Sequence, residues 1–154
     1  MSREIKINHP GDGEWIMARV GGLYNRATDH SIAVHQDDEI KGGVVFTGFL
    51  GGAIFLHMAG TEGDWAFRDF LWMIFDYAFR QIGCRKAFGL VDASNLRALW
   101  IDLRLGFRPV GKLANVTLDG NDMLILEMER HECKWLDIVP RFYRSNITTV
   151  VKET

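Results

Sequence analysis

The sequence predicts a single α/β (α+β) domain with a mixed, mostly antiparallel central sheet and helices on both faces. Three observations lead there. Short alternating apolar segments, separated by Gly- and Asp-rich turns, occupy the first 60 residues and read as an antiparallel meander. A long segment of helical period then runs from 64 to 82. A strand, a second helix and a hairpin complete the chain, and helices that follow a meander in this order must pack on a mixed sheet.

Taken in order, "REIKIN" (3–8) alternates as a first strand and stops at the "HPGDG" turn. Residues 14–27 carry Trp15, Ile16, Val20 and Leu23 at helical spacing, and Gly21 and Gly22 weaken that helix. "SIAVH" (31–35), "VVFTGFL" (44–50) and "AIFLHMA" (53–59) read as strands, with "QDDEIKGG" as the turn between the first two. "DWAFRDFLWMIFDYAFRQI" (64–82) is apolar on most of its circumference, which suits a helix buried against a sheet, and Gly83 is its natural stop. "AFGLV" (87–91) suits a buried central strand. "NLRALWIDLRL" (95–105) is a helix closing in Leu-Gly-Phe, and "FRPVGKLANVTL" and "DMLILEME" form a hairpin around "DGND". Residues 1–136 are read as one domain and 137–154 as a C-terminal tail.

Composition bounds the function. The 154 residues are 47% hydrophobic and 25% charged, with a formal net charge of −2, an ordinary globular balance. That balance lacks the basic footprint of a nucleic-acid binder, and no run approaches the length of a membrane span. "MSREIKINHP" has no apolar stretch of the secretory kind. Cys84 and Cys133 form no metal or redox motif, and His131 and Cys133 lack metal-ligand spacing, so a reducing cytoplasmic setting and no metal are expected. The 12% aromatic content fills a core or builds an apolar channel or partner surface.

Asn95, Ala98, Gly106 and Phe107 form N-x-x-A followed by a helix that closes in L-G-F, and Gly83 separates the long helix from the next strand. From about Ala53 to Trp135 this resembles the GCN5-related N-acetyltransferase (GNAT) superfamily, whose members move an acetyl group from acetyl-CoA to an amine. The hairpin segment is similar to the branch that acetylates ribosomal-protein N-termini and polyamines. "DFLWMIFDYAFRQIGCRKAFGLVDASN" is similar to acetyltransferase-like proteins of phage and bacterial genomes. The resemblance implies a GNAT-like sheet, acetyl-CoA as co-substrate, and a small-molecule or peptide amine as acceptor. It further implies that CoA lies between "AIFLHMA" and "AFGLVDA", with backbone groups of Leu56 and Met58 pairing with its pantetheine arm and Asn95 and Ala98 beside it.

The chain departs from the family pattern twice. Where R/Q-x-x-G-x-G/A is usual for the CoA pyrophosphate, this sequence has Gly63, Asp64, Trp65, Ala66, Phe67 and Arg68. A helix N-terminus there still offers free N–H groups; Arg68 adds charge to the ligand or is a solvated first-turn residue. Seven residues after Asn95, where the family commonly has a proton-donating Tyr, stands Asp102, with no basic residue three or four positions away. Leu96, Leu99, Trp100 and Leu103 are read as the helix's apolar face. Asp102 is then an acid on a solvent-facing edge, or it binds an ammonium, accepts a proton, or donates one if burial raises its pKa.

His57, in "FLHMA", is the candidate base if it faces the cleft, and otherwise a packed or solvated strand residue. Glu62 and Asp64 orient substrate or serve the long helix as cap and first-turn charge. Asp92 lies at a ligand-favoured strand end or opens an Asx turn. The expected reaction is direct attack of an amine on the thioester. The alternative is a non-catalytic GNAT-like module that works through its surface, and the aromatic-rich helix and tail would then serve a partner or a homodimer.

Overall fold

The computed structural model describes residues 3–61, 63, 65–138 and the backbone of 147–149. One eight-stranded sheet organises them in the order β6-β7-β5-β4-β3-β2-β1-β8. The strands are β1 (Arg3–Ile7), β2 (His30–Gln36), β3 (Glu39–Thr47), β4 (Ala53–Gly60), β5 (Lys86–Asp92), β6 (Arg108–Leu113), β7 (Met123–Glu129) and β8 (Ile147–Thr149). Helices α1 (Asp12–Val20), α2 (Arg68–Asp76) and α3 (Leu96–Leu105) connect them. Antiparallel pairing dominates, as expected; β4 with β5 and β1 with β8 are the parallel pairs. The β8 residues, inside the segment read as a tail, extend the sheet beside β1. None of the described helices is long and apolar enough to cross a membrane.

Helices cover both faces. Val45 of β3 packs with Ile16 and Met17 of α1, whereas its neighbours Val44 and Phe46 point the other way, into the core with Phe70, Phe75 and Phe79 of the α2 segment. β4–α2–β5 and β5–α3–β6 both cross in the same direction, so right-handed crossovers put α2 and α3 on one face. Phe75 accordingly lies 6.1 Å from Phe79 and 6.2 Å from Phe107, just after α3, ring centre to ring centre. The aromatic richness thus fills a core to a large extent.

Several boundaries differ from the sequence reading. The turn expected over 36–43 contracts to Asp37 and Asp38, both at positive φ, which closes a two-residue hairpin and starts β3 at Glu39. Gly42 and Gly43 are therefore strand residues. A β-carbon on Gly42 would strike the Trp65 indole, and one on Gly43 the backbone of β2. Helix α1 ends at Val20 because Gly21 caps it in the left-handed region, its N–H bonded to Met17 O. Helix α2 begins at Arg68 rather than Asp64 and continues through a π-helical turn, Tyr77–Gln81. Strand β6 stops at Leu113 rather than 118.

Candidate active site

The sheet opens where β4 and β5 part. Their parallel pairing runs from Ala53↔Lys86 to Leu56↔Gly89 and ends there. β4 continues to Gly60 paired only with β3, and β5 to Asp92 paired only with β7. The facing edges of 57–60 and 90–92 thus diverge with backbone groups unshared between them, a wedge that an extended ligand enters as a strand would.

Gly89 sits at the apex of that wedge. Its neighbours on the same strand face, Ala87 and Val91, lie in the core with α2. Gly89 is buried, yet a β-carbon there would meet nothing within 4 Å. A hollow therefore lies over β5 on the side covered by α2 and α3.

Asp102 lies on α3, which contacts β5 on this face. Asn95 starts α3, its Oδ1 accepting the Ala98 N–H at 3.1 Å. From Asn95 to Asp102 the helix returns about 10 Å. From Asp92 back to Gly89 the strand covers about the same length, so a helix running back along β5 brings Asp102 toward Gly89. The helix is rotated away from the apolar face read from sequence, of which only Leu99 stays protected. Ala98, Leu99, Asp102 and Leu105 are its protected positions, while Leu96 (70% exposed), Trp100 (58%) and Leu103 (43%) face solvent. Asp102 is thus no solvent-facing edge residue. Desolvation by burial pushes its carboxyl up to about 6, and among the described residues no cation offsets it.

His57 lies across the sheet from Asp102. Leu56 and Met58 point into the α2 core, so His57 between them points to the α1 face. Its Nε2 is 2.8 Å from Thr47 Oγ1, and burial holds its pKa below the usual value, against the opposing charge of Asp29. The imidazole is therefore neutral at neutral pH, and in the tautomer whose Nε2–H donates to Thr47 its Nδ1 carries the lone pair. Two titratable groups stand on opposite faces of one gap: a neutral base and an acid of raised pKa.

The loop before α2 serves differently from a first helical turn. Gly63 takes positive φ (111°). Trp65 inserts its indole where β-carbons on Gly42 and Gly60 would otherwise lie, and it packs 5.9 Å from Phe70. Ala66 is exposed, and Phe67 occupies the N-cap with no side-chain hydrogen bond, its ring 4.9 Å from the Arg3 guanidinium. Among the described residues no side chain caps the first N–H groups of α2, and Arg68 beside them is exposed, with no carboxylate paired to it among the described residues.

The remaining expected residues resolve as follows. Asp92 is engaged in its own turn: Oδ1 accepts the Ser94 N–H (2.9 Å) and Oγ–H (2.7 Å), which lowers its pKa. Asn95 is a helix cap with its carbonyl oxygen occupied. Glu62 and Asp64 lie outside the described residues. Glu129, His131 and Glu132 bring ligand atoms within 4.8 Å of one another, but Arg108 Nη2 already stands 3.5 Å from Glu129 and 3.8 Å from Glu132. Sequence reasoning missed Thr47 and Gly89. The spacing signal for Thr47 was absent, since its contact with His57 depends on the β3–β4 register, whereas Gly89 inside an apolar strand was a visible mark of close approach.

No protein-family model and no curated protein matches the chain. Solved structures do match in fold. A mutant of the spermidine N-acetyltransferase SpeG from Vibrio cholerae superposes with a TM-score of 0.70 at 13% identity, covering 88% of this chain and 96% of that one. The same enzyme in complex with manganese ions gives 0.69 at 14% identity, over 88% and 95%. A probable acetyltransferase gives 0.59 at 13% identity, over 68% and 63%. The chain has the fold of these acetyltransferases.

The raised pKa of Asp102 makes a stability prediction. Its folded pKa lies above the unfolded value, so ionisation costs the folded state, and stability falls as pH rises from about 4 to about 6. Asp102→Asn removes that cost. Urea unfolding should show the variant about 1–2 kcal/mol more stable than wild type above about pH 7, the gain fading toward about pH 4.

Proposed function

We propose that the protein is an N-acetyltransferase that moves an acetyl group from acetyl-CoA to the primary amine of a small molecule. The observation that carries this reading is the wedge closing on Gly89, with a hollow above it and a desolvated acid on the helix that contacts β5. A thioester carbonyl fits such a hollow, and the open β4 edge at Leu56 and Met58 offers backbone partners to an extended arm. The uncapped start of α2, with Gly63, Trp65, Ala66, Phe67 and Arg68 leading into it, suits the CoA phosphates. The fold shared with the spermidine N-acetyltransferases supports the same reading, and spermidine is the first acceptor to try.

In the proposed reaction the amine nitrogen attacks the thioester carbonyl from the α1 face. His57, its Nε2–H donating to Thr47, takes the amine proton at Nδ1. The C–S bond breaks, and the sulfur takes a proton from the Asp102 carboxyl on the opposite face. Direct transfer needs no covalent enzyme intermediate; positioning supplies much of the rate. Asp102 thus does the work of the Tyr common at this position, and the burial that raises its pKa is what permits it. Asp92 and Asn95 shape the turn and cap that hold α3 over the gap.

Two further features belong to this reading. Among the described residues, eight of the twelve large exposed hydrophobic residues fall between 96 and 118, on α3, β6 and the following loop. That patch supports a homodimer formed across α3. The buried free thiols of Cys84 and Cys133 suit a reducing cytoplasm.

Gly89→Val fills the hollow without strain, since the position has open space. Titration calorimetry should show that wild type binds acetyl-CoA and the variant does not, with unchanged melting. Absence of binding by the wild type at about millimolar ligand would return the protein to the non-catalytic alternative. Turnover with spermidine should fall about 10²-fold in Asp102→Asn. In wild type kcat should decline above about pH 6, as Asp102 loses its proton, and in Asp102→Tyr that limb should move toward about pH 10. A limb that stays in place in Asp102→Tyr removes Asp102 as the donor. Sedimentation should show the dimer converted to monomer by Trp100→Glu.

A further inference from the structure

A second cleft lies at the opposite end of β4 and β5 from the wedge. It has a volume of about 850 Å³, within the range of small-molecule sites. The starts of β4 and β5, the end of the α2 segment and the end of β7 meet there. Its lining carries Arg80, Arg85, Lys86 and Arg130 against Glu129 and Asp137, an excess of two positive charges on a chain of net charge −2. None of the site residues proposed above lines it.

Two of the four cations in the cleft are already engaged. Arg80 pairs with Asp76 (3.4 Å) and donates to Leu136 O, Lys86 pairs with Glu127 (3.1 Å) and Glu129 (3.5 Å), and His131 is 3.2 Å from Glu129. Arg85 and Arg130 differ: among the described residues no carboxylate pairs with either. They are neighbours, the Arg130 N–H donating to Arg85 O at 2.9 Å. Arg85 is also held in place. Its backbone N–H donates to Gly52 O at 2.7 Å, and its guanidinium occupies the space a β-carbon on Gly52 would take. Leu50, Ala53, Cys133 and Leu136 supply an apolar wall beside these cations.

We propose that this cleft binds a small organic polyanion, a molecule with a compact apolar or planar body and at least two oxyanion groups, phosphate or carboxylate. Two guanidinium forks lining one cleft, neither paired with a carboxylate among the described residues, match two oxyanions, each able to accept a bidentate pair. The apolar wall accounts for a body between or behind those groups. Because the cleft and the wedge open at opposite ends of β4, about 20 Å apart along the strand, both ligands are accommodated at once, and the assignment stands whether or not the chain is an acetyltransferase.

Titration calorimetry on the full chain at about 150 mM salt tests it, with ATP as the phosphate probe and citrate as the carboxylate probe. One of the two should bind, with and without saturating acetyl-CoA. Arg85→Ala/Arg130→Ala should weaken that binding at least about tenfold, near 1.4 kcal/mol. Gly89→Val should leave it unchanged, and so should Arg97→Ala/Lys112→Ala, which removes the same charge elsewhere. The identity of the binding probe assigns the oxyanion. Failure of both probes at about 5 mM, loss of binding on adding acetyl-CoA, equal weakening by the control pair, or indifference to the Arg85/Arg130 substitutions would each overturn the proposal. Melting curves of the double variant, expected to match wild type, separate lost binding from lost fold.

Discussion

Strands β4 and β5 share backbone hydrogen bonds for four residue pairs and then part at Leu56 and Gly89. The rest of the architecture follows from this limited pairing. A parallel pair needs a crossover, and the long apolar helix supplies it. The same helix covers the sheet face on which the gap opens, so the gap is covered on that side and open at its end. Beyond the parting point each strand still has one satisfied edge, β4 on β3 and β5 on β7, so the divergence exposes only the two facing edges. The wedge costs no strand its place in the sheet.

Burial then divides the chemistry between the two faces. His57 alternates with Leu56 and Met58 and is forced to the α1 side. Asp102 shares the inner face of α3 with Ala98, Leu99 and Leu105 and is forced to the other. Desolvation acts on both with opposite sign. It lowers the pKa of an imidazole, whose charged form is the protonated one, and raises that of a carboxyl, whose charged form is ionised. One physical cause thus yields a neutral base and an acid that keeps its proton up to about pH 6, without any ion pair among the described residues. The cost is borne by stability, since the folded protein carries a buried carboxylate at neutral pH.

Glycines mark the places where this arrangement is tightest. Gly42 and Gly60 leave room for the Trp65 indole, which pins the loop between β4 and α2 against the sheet. The room over Gly89 is entered by no side chain of the described residues, which distinguishes it from Gly42, Gly60 and Gly52. Gly52 leaves room for the Arg85 guanidinium at the far end of the same strand pair. The two ends of β4 and β5 therefore differ in kind: one is a hollow on the face that α3 and its desolvated acid cover, the other a cleft with surplus positive charge.

Much of the fold was legible in the sequence. Alternation marked β1, β2 and β4, helical period marked α2 and α3, and N-x-x-A with Leu-Gly-Phe located the cap and stop of α3 at Asn95 and Gly106. These are local properties, set by side-chain spacing and backbone freedom, which a short window of residues contains. The orientation of α3 was not local. Leu96, Trp100, Ile101 and Leu103 outweigh Asp102 in any hydrophobicity count, yet the sheet receives Ala98 and Asp102, because the approach of α3 is decided by what β5 and α2 leave open above Gly89. The pairing of His57 with Thr47 and the pKa of Asp102 likewise arise only when distant segments meet, through strand register in one instance and exclusion of water in the other. The sequence by itself determined the elements, the caps and the identity of the unusual acid; tertiary structure decided which way that acid faces and, by removing its water, at what pH it holds a proton.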